Sequence, residues 1–145
     1  MGKLRIAVAA GMLGAAGMFA LPAFATAAPG IPCSAAAAAC IDLSAKTSWL
    51  QYNGIVTYGG VPITSGRPGY ETPPGTFHVT YKDIDHWSQA YDAPMPYSVF
   101  FTDTGIAFHE GSLTQQSHGC VHLSPEAART YYNALKPGDV VEVVP

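Results

Sequence analysis

The chain has 145 residues, 48% of them hydrophobic and only 12% charged, with seven Lys and Arg against ten Asp and Glu. That length fits one small domain with no room for a second catalytic one, and an aromatic content of 11% argues against a disordered chain. The slightly acidic balance offers no electrostatic footprint for a nucleic-acid backbone, so DNA and RNA are not expected partners.

The apolar excess is concentrated at the start. Lys3 and Arg5 precede an uncharged apolar run from Ile6 to about Leu21, and Ala23-Phe24-Ala25 supplies the small-x-small pattern that a signal peptidase cuts. Residues 1–27 are therefore expected to be an export signal, cleaved after Ala25 or Ala27. The run is also just long enough to span a bilayer, but no charged stop-transfer flank follows it, so no stable membrane anchor is expected after processing. Export to the periplasm or cell wall changes how the three cysteines are read, because an oxidising compartment permits disulfides. In the short segment 28–40, Cys33 and Cys40 are near enough to close a loop, and their pairing contributes about 2 to 3 kcal/mol on chain-entropy grounds. The rival reading of Cys33 is a lipidated cysteine, for which Gly30-Ile31-Pro32 is a poor signal. Cys120 is left without a partner.

Residues 41–145 read as a mainly β domain, with short β-branched and aromatic runs between turn signals. Trp49–Tyr52 and Ile55–Tyr58 flank Asn53-Gly54, whose tolerance of positive φ suits a type I′ hairpin turn. Val61–Thr64 continues as strand, with Pro62 marking an edge or bulge. Gly66-Arg67-Pro68-Gly69 and Thr72-Pro73-Pro74-Gly75 form a rigid connection. Phe77–Tyr81, Tyr97–Phe101, Ile106–His109 and Val140–Val144 are further strands, and Tyr81–Pro94 reads as a polar, aromatic loop in which Trp87 and Tyr91 are placed to border a groove. One helix is expected before the last strand. Ser124 caps it, Pro125 opens it, Glu126 meets its positive end, Ala128, Tyr131, Tyr132 and Leu135 share one face, and Pro137-Gly138 stops it.

The chemistry concentrates between Phe108 and Leu123, where His109, His118 and His122 accompany the unpaired Cys120. An exported protein that leaves a thiol free risks oxidation, so a thiol among imidazoles points to a nucleophile. Gly119 lets a substrate carbonyl approach the backbone, where the Gly119 and Cys120 amides could face an oxyanion. Two other readings stand beside this one. Cys120 can be a small buried hydrophobe, or His118, Cys120 and His122 can alternate on a strand as zinc ligands with His109 as the fourth. His78 and His86 read as ordinary structural histidines.

The run Ser117-His118-Gly119-Cys120-Val121-His122 resembles the signature of the L,D-transpeptidase catalytic domain, the YkuD-type fold, with His109 in the place of its upstream histidine. Thr72-Pro73-Pro74-Gly75-Thr76-Phe77, Met95-Pro96-Tyr97 and Lys136-Pro137-Gly138-Asp139-Val140-Val141 resemble three further segments of that family in the same order. The resemblance implies a β-sandwich-like enzyme of the bacterial cell wall, needing no cofactor or metal, with peptidoglycan stem peptides as substrates. It implies Cys120 as nucleophile and His109 as its base or imidazolium partner, oriented by the backbone carbonyl of Glu110. His118 lines the site, Ser117 and the Gly119 amide belong to the acyl-binding surface, Tyr97 forms a wall, and Arg67 is a candidate for a substrate carboxylate. The implied reaction is thioester formation on a stem tetrapeptide with release of D-alanine, then cross-linking to a neighbouring stem. Water as acceptor would give L,D-carboxypeptidase activity, and a wall-binding module without catalysis is the alternative of another class. Carbapenems are the implied covalent inhibitors. Two departures stand out. His109 and Cys120 are separated by a shorter stretch than the family pattern, so the cover over the acceptor side is expected to be small or absent. At His122, a candidate substrate-binding position, the family usually carries Asn or Arg, so a histidine there could alter substrate choice or make the contact pH-dependent, the other reading being a partly exposed strand histidine.

Overall fold

The computed structural model describes residues 30–145; the expected export signal lies outside the described residues. No helix among these residues is long and apolar enough to cross a membrane. Nine strands and one helix follow in the order β1 (Ala39–Asp42), β2 (Thr47–Tyr52), β3 (Ile55–Pro62), β4 (Gly75–His78), β5 (Tyr81–Ser88), β6 (Ala93–Phe100), β7 (Ala107–Glu110), β8 (Val121–Leu123), α1 (Pro125–Ala134) and β9 (Val140–Val144). They form two sheets, of order β3-β2-β1-β9-β4 and β5-β6-β7-β8, giving a mainly β domain whose helix precedes the last strand.

The β2–β3 hairpin turns at Asn53 and Gly54, both at positive φ (48° and 78°), the conformation a type I′ turn demands. The centre of the first sheet is β1, antiparallel to β2 and parallel to β9. Its Ala39, Cys40 and Ile41 are fully buried, so it shows no alternation of apolar and polar residues, and alanines and a cysteine carry little strand propensity. Cys33 is joined to Cys40 by a disulfide with Cα atoms 5.7 Å apart, which fastens the preceding segment to this central strand.

The expected loop Tyr81–Pro94 is instead a hairpin. Its first arm is β5, the edge strand of the second sheet, paired antiparallel with β6. An edge strand tolerates the Lys82, Asp83, Asp85 and His86 that made the stretch read as a loop, and the Asp83 carboxylate lies 3.0 Å from His86 Nδ1. Lys82 donates to the carbonyls of Tyr132 and Leu135 at 2.6 and 2.8 Å, capping the last turn of α1. The helix begins as its residues dictate, with Ser124 accepting from the Ala127 amide and Pro125 at the first position.

One core joins the layers. Phe101, Phe108 and Tyr131 pack ring on ring, with centroids 5.1 and 5.0 Å apart across the two contacts, together with Ile41, Leu50, Val99, Val121, Leu123 and Val141. Tyr131 is fully buried, and its hydroxyl donates at 2.7 Å to Ser48 Oγ on β2, which donates in turn to the Cys40 carbonyl. The helix is thereby tied to both sheets. Tyr131→Phe is expected to lower stability by about 1 kcal/mol, the net worth of one buried hydrogen bond, and Tyr131→Ala by about 4 kcal/mol through the cavity it leaves. Urea unfolding of the two variants measures both, and equal losses would refute the ring-packing account.

Candidate active site

Strands β7 and β8 run parallel in the register Phe108↔Val121, His109↔His122 and Glu110↔Leu123. Alternation sends Phe108, Val121 and Leu123 into the main core and turns His109 and His122 to the opposite face. Cys120 precedes β8 and falls on that outer face as well, against Met95, Phe100 and Ala107. A cavity of about 460 Å³ opens there, lined by Cys120 and all three of His109, His118 and His122.

The segment carrying the thiol is held by the chain between β3 and β4. Thr64 bridges antiparallel to His122, and Gly66 parallel to Ser117. Thr72 Oγ1 accepts from the Gly66 amide at 3.0 Å and donates to the Gly119 carbonyl at 2.7 Å. Gly119 stands at φ +125°, which only a residue without Cβ adopts readily. Its amide donates at 3.0 Å to Ser117 Oγ, which donates at 2.5 Å to the Cys120 carbonyl. The Gly119 amide and the Ser117 hydroxyl, both expected on the acyl-binding surface, are thus engaged with partners inside the turn.

His109 Nδ1 lies 2.7 Å from the Glu110 carbonyl. A carbonyl only accepts, so Nδ1 carries the proton and Nε2 keeps its lone pair. Burial, above all, pushes the His109 pKa from 6.5 down to about 4, the Glu110 carbonyl acting against it and the charges of His122 and His86 with it. Burial likewise raises the Cys120 thiol above the ordinary range, partly offset by the Ala107 backbone. Sγ points at the Gly105 carbonyl at 3.8 Å. The resting pair is thus a neutral thiol and a neutral imidazole.

The cleft is lined on one side by the β5–β6 hairpin and on another by the Glu110–Gln116 loop. Tyr91, at the hairpin tip, stacks on His118 with centroids 3.9 Å apart and planes 11° from parallel, while Tyr70 meets the same imidazole edge-on at 4.9 Å. Tyr97 is no wall of the cleft: it packs edge-on against Tyr132 at 5.9 Å on the core side. Arg67 is also outside the cavity lining, its guanidinium 4.8 Å over the Tyr70 ring. Trp87 is exposed outside the cleft, whereas Tyr91 lines it. His78 ends β4, away from the thiol. No group of three or more His, Cys, Asp or Glu among the described residues is arranged to hold a metal ion, and the zinc reading of the histidines finds no support. Sequence reasoning missed Thr64 and Ser112, which hold His122, and the bracing role of Thr72.

A two-sheet β domain with one free thiol and a tautomer-fixed imidazole on a shared cleft has the layout that acyl transfer through cysteine requires. The model of the YkuD family, the L,D-transpeptidase catalytic domain, matches residues 36–143, and the chain belongs to that family. L,D-transpeptidase 1 of Mycobacterium tuberculosis is 33% identical over 122 residues, covering 71% of this chain and 48% of that protein. The crystal structure of an L,D-transpeptidase from Stackebrandtia nassauensis superposes with a TM-score of 0.70 at 31% identity, over 74% of this chain and 54% of that one. An L,D-transpeptidase solved in complex with imipenem gives 0.69 at 29%, over 73% of this chain and 57% of its own. The chain spans about half the length of the curated relatives it matches.

Two outcomes follow from the ionisation of the site. Because the unfolded chain binds the His109 proton more readily than the folded one, stability is full above pH 6.5 and falls as the pH drops from there to about 4. The loss attributable to this group is at most about 3 kcal/mol. Urea midpoints across this window should decline less steeply for His109→Gln, and identical slopes would remove His109 from the account. Iodoacetamide alkylation of Cys120 should climb with pH through and beyond the ordinary thiol range near about 8.5. A plateau already reached in mild acid would instead reveal a resting thiolate–imidazolium pair.

Proposed function

We propose that this chain is a peptidoglycan L,D-transpeptidase acting outside the cytoplasm, with Cys120 as nucleophile and His109 as its base. The observation that carries the reading is the shared cleft, where a free Cys120 meets a His109 whose Nδ1–H is locked on the Glu110 carbonyl. That lock leaves Nε2 as the only nitrogen able to take the thiol proton.

In the first half of the reaction Sγ attacks the carbonyl of the third residue of a stem tetrapeptide, and its proton passes to His109 Nε2. The oxyanion is met by backbone amides. With the Gly119 amide committed to Ser117, those of His118 and Cys120 remain in this turn. Collapse breaks the peptide bond to D-alanine, whose nitrogen takes the proton from His109, and a thioester remains on Cys120. An amine of a neighbouring stem then attacks the thioester, restoring the thiol and completing the cross-link. His118, stacked beneath Tyr91, ties the thiol-bearing turn to the β5–β6 hairpin, so donor entry requires the hairpin tip to move. The imipenem complex of a family member supports carbapenems as acylating inhibitors of the same thiol.

Incubation with a disaccharide-tetrapeptide, read by mass spectrometry, should yield free D-alanine and a cross-linked dimer. Imipenem should add its mass once, on the peptide containing Cys120. Cys120→Ala should abolish both while the protein stays folded. D-alanine without dimer would assign the chain to carboxypeptidase chemistry, and no adduct with no released D-alanine would sink the enzymatic reading.

A further inference from the structure

Two imidazoles, and not one, offer a lone pair to the cleft. His109 and His122 are partners in the parallel register, their rings 4.9 Å apart and inclined by 75°. His122 Nδ1 lies 2.9 Å from the Ser112 carbonyl and 3.0 Å from Thr64 Oγ1, and Thr64 Oγ1 itself donates to Ser112 at 2.6 Å. The carbonyl can only accept, so Nδ1 holds the proton in this ring as in His109, and Nε2 keeps the lone pair. No buried side-chain nitrogen or oxygen among the described residues lacks a partner. Neither Nε2 has a protein partner, so both are accessible, and both rings line the cavity that holds Cys120. The fold has also made room for the second ring, since a Cβ on Gly111 would stand 2.5 Å from it.

The transferase reading leaves a task for this second base. The acceptor amine arrives as an ammonium ion, which has no lone pair until it loses a proton. His109 alone could serve both steps only by losing the first proton to water in between, because it must be neutral to collect the proton that the amine sheds on becoming an amide; a second base in the cleft divides the two steps. We propose that His122 is a further catalytic residue, whose Nε2 takes the proton from the acceptor's ammonium and so presents a neutral primary amine to the thioester. The proton then leaves for bulk water. As the new C–N bond forms and the C–S bond breaks, the second amine proton passes through His109 to Sγ, and the thiol is restored. The ionisable groups around the His122 ring are His109 on β7, Glu110 after it, and His118 and Cys120 on the approach to β8. Charge on His122 opposes charge on His109, so proton release from His122 to water precedes uptake by its neighbour. The proposal rests on the transferase reading of the preceding subsection.

His122→Asn is the informative variant, because an Asn amide can replace the Nδ1 donor toward Ser112 while nothing replaces Nε2. His122→Gln does the converse, placing an amide near Nε2 without basicity. Both are compared with the unaltered chain at neutral pH, using a disaccharide-tetrapeptide donor and either an alkyl primary amine or hydroxylamine as acceptor. Hydroxylamine is already unprotonated there. Circular dichroism and the urea midpoint confirm that each variant is folded. Both variants should lose amide formation with the alkylamine by about a hundredfold, the usual worth of a general base, while retaining most hydroxamate formation. Raising the pH toward the alkylamine's own pKa should restore the lost rate. Equal losses with both acceptors, or no loss with either, would overturn the proposal. An unaltered chain that makes neither product would overturn the transferase reading itself, and this proposal with it.

Discussion

The parallel pairing of β7 with β8, only three residues long on the second strand, is the contact on which the site depends. Parallel strands in register place partners side by side on the same face. One pairing therefore fixes five positions at once: Phe108 and Val121 inward, His109 and His122 outward, and Cys120 at the entry to β8. A slip of one residue would send the imidazoles into the Phe101–Phe108–Tyr131 core and bring apolar side chains to the cleft. The inner face resists that slip, because its residues are fully buried against α1 and the first sheet.

So short a strand cannot hold its own approach, and the chain before β4 acts as a strap along it. Thr72 joins the Gly66 amide to the Gly119 carbonyl, Ser117 closes a ring of bonds around Gly119 and Cys120, and Thr64 and Ser112 grip His122. Every donor in this strap ends on a backbone carbonyl or on a hydroxyl that donates onward, so the Gly119 amide, the Gly119 carbonyl and the Cys120 carbonyl are all held by protein partners. That rigidity has a chemical cost. On the proposed reaction, an amide used to brace the turn is lost to the oxyanion, so one donor of the motif serves to hold Cys120 in place.

What the sequence made legible follows from how local each signal is. The Asn53-Gly54 turn and the Ser124-Pro125 helix start rest on backbone preferences of adjacent residues, and both stand in the structure. Cys120 and His109 were legible because a free thiol beside imidazoles is chemically unusual and the surrounding motif is distinctive. The strand β5 was not, because an edge position accepts charged residues that local patterning reads as a loop. The strand β1 was hidden for the opposite reason: burial on both faces erases alternation. The positions of Tyr91, Thr72 and Tyr97 were out of reach, since each is fixed by contacts between segments distant in the chain, such as the 47-residue span from Thr72 to Gly119. Tyr97 adds a positive φ of 57°, an uncommon conformation for an aromatic residue, and the reversal it introduces turns its ring toward Tyr132 rather than toward the thiol.

The same burial that organises the cleft decides how the thiol is kept. A chain that carries a disulfide between Cys33 and Cys40 works where thiols are prone to oxidise, and oxidation proceeds through the thiolate. Desolvation pushes Cys120 toward the protonated form and His109 toward the neutral form, so proton transfer between them runs uphill. On the proposed reaction, the reactive state forms when something compensates the charge separation, and the group best placed to do so is an acyl carbonyl entering beside the backbone amides of the turn. Attack on that carbonyl carbon would consume the thiolate as soon as it formed, and the proton would pass from the imidazolium to the leaving nitrogen. A resting ion pair would need no such trigger and would expose the thiolate to every oxidant that passed the hairpin. By burying both members of the pair, the fold would, on the proposed reaction, link activation of the thiol to arrival of the acyl group.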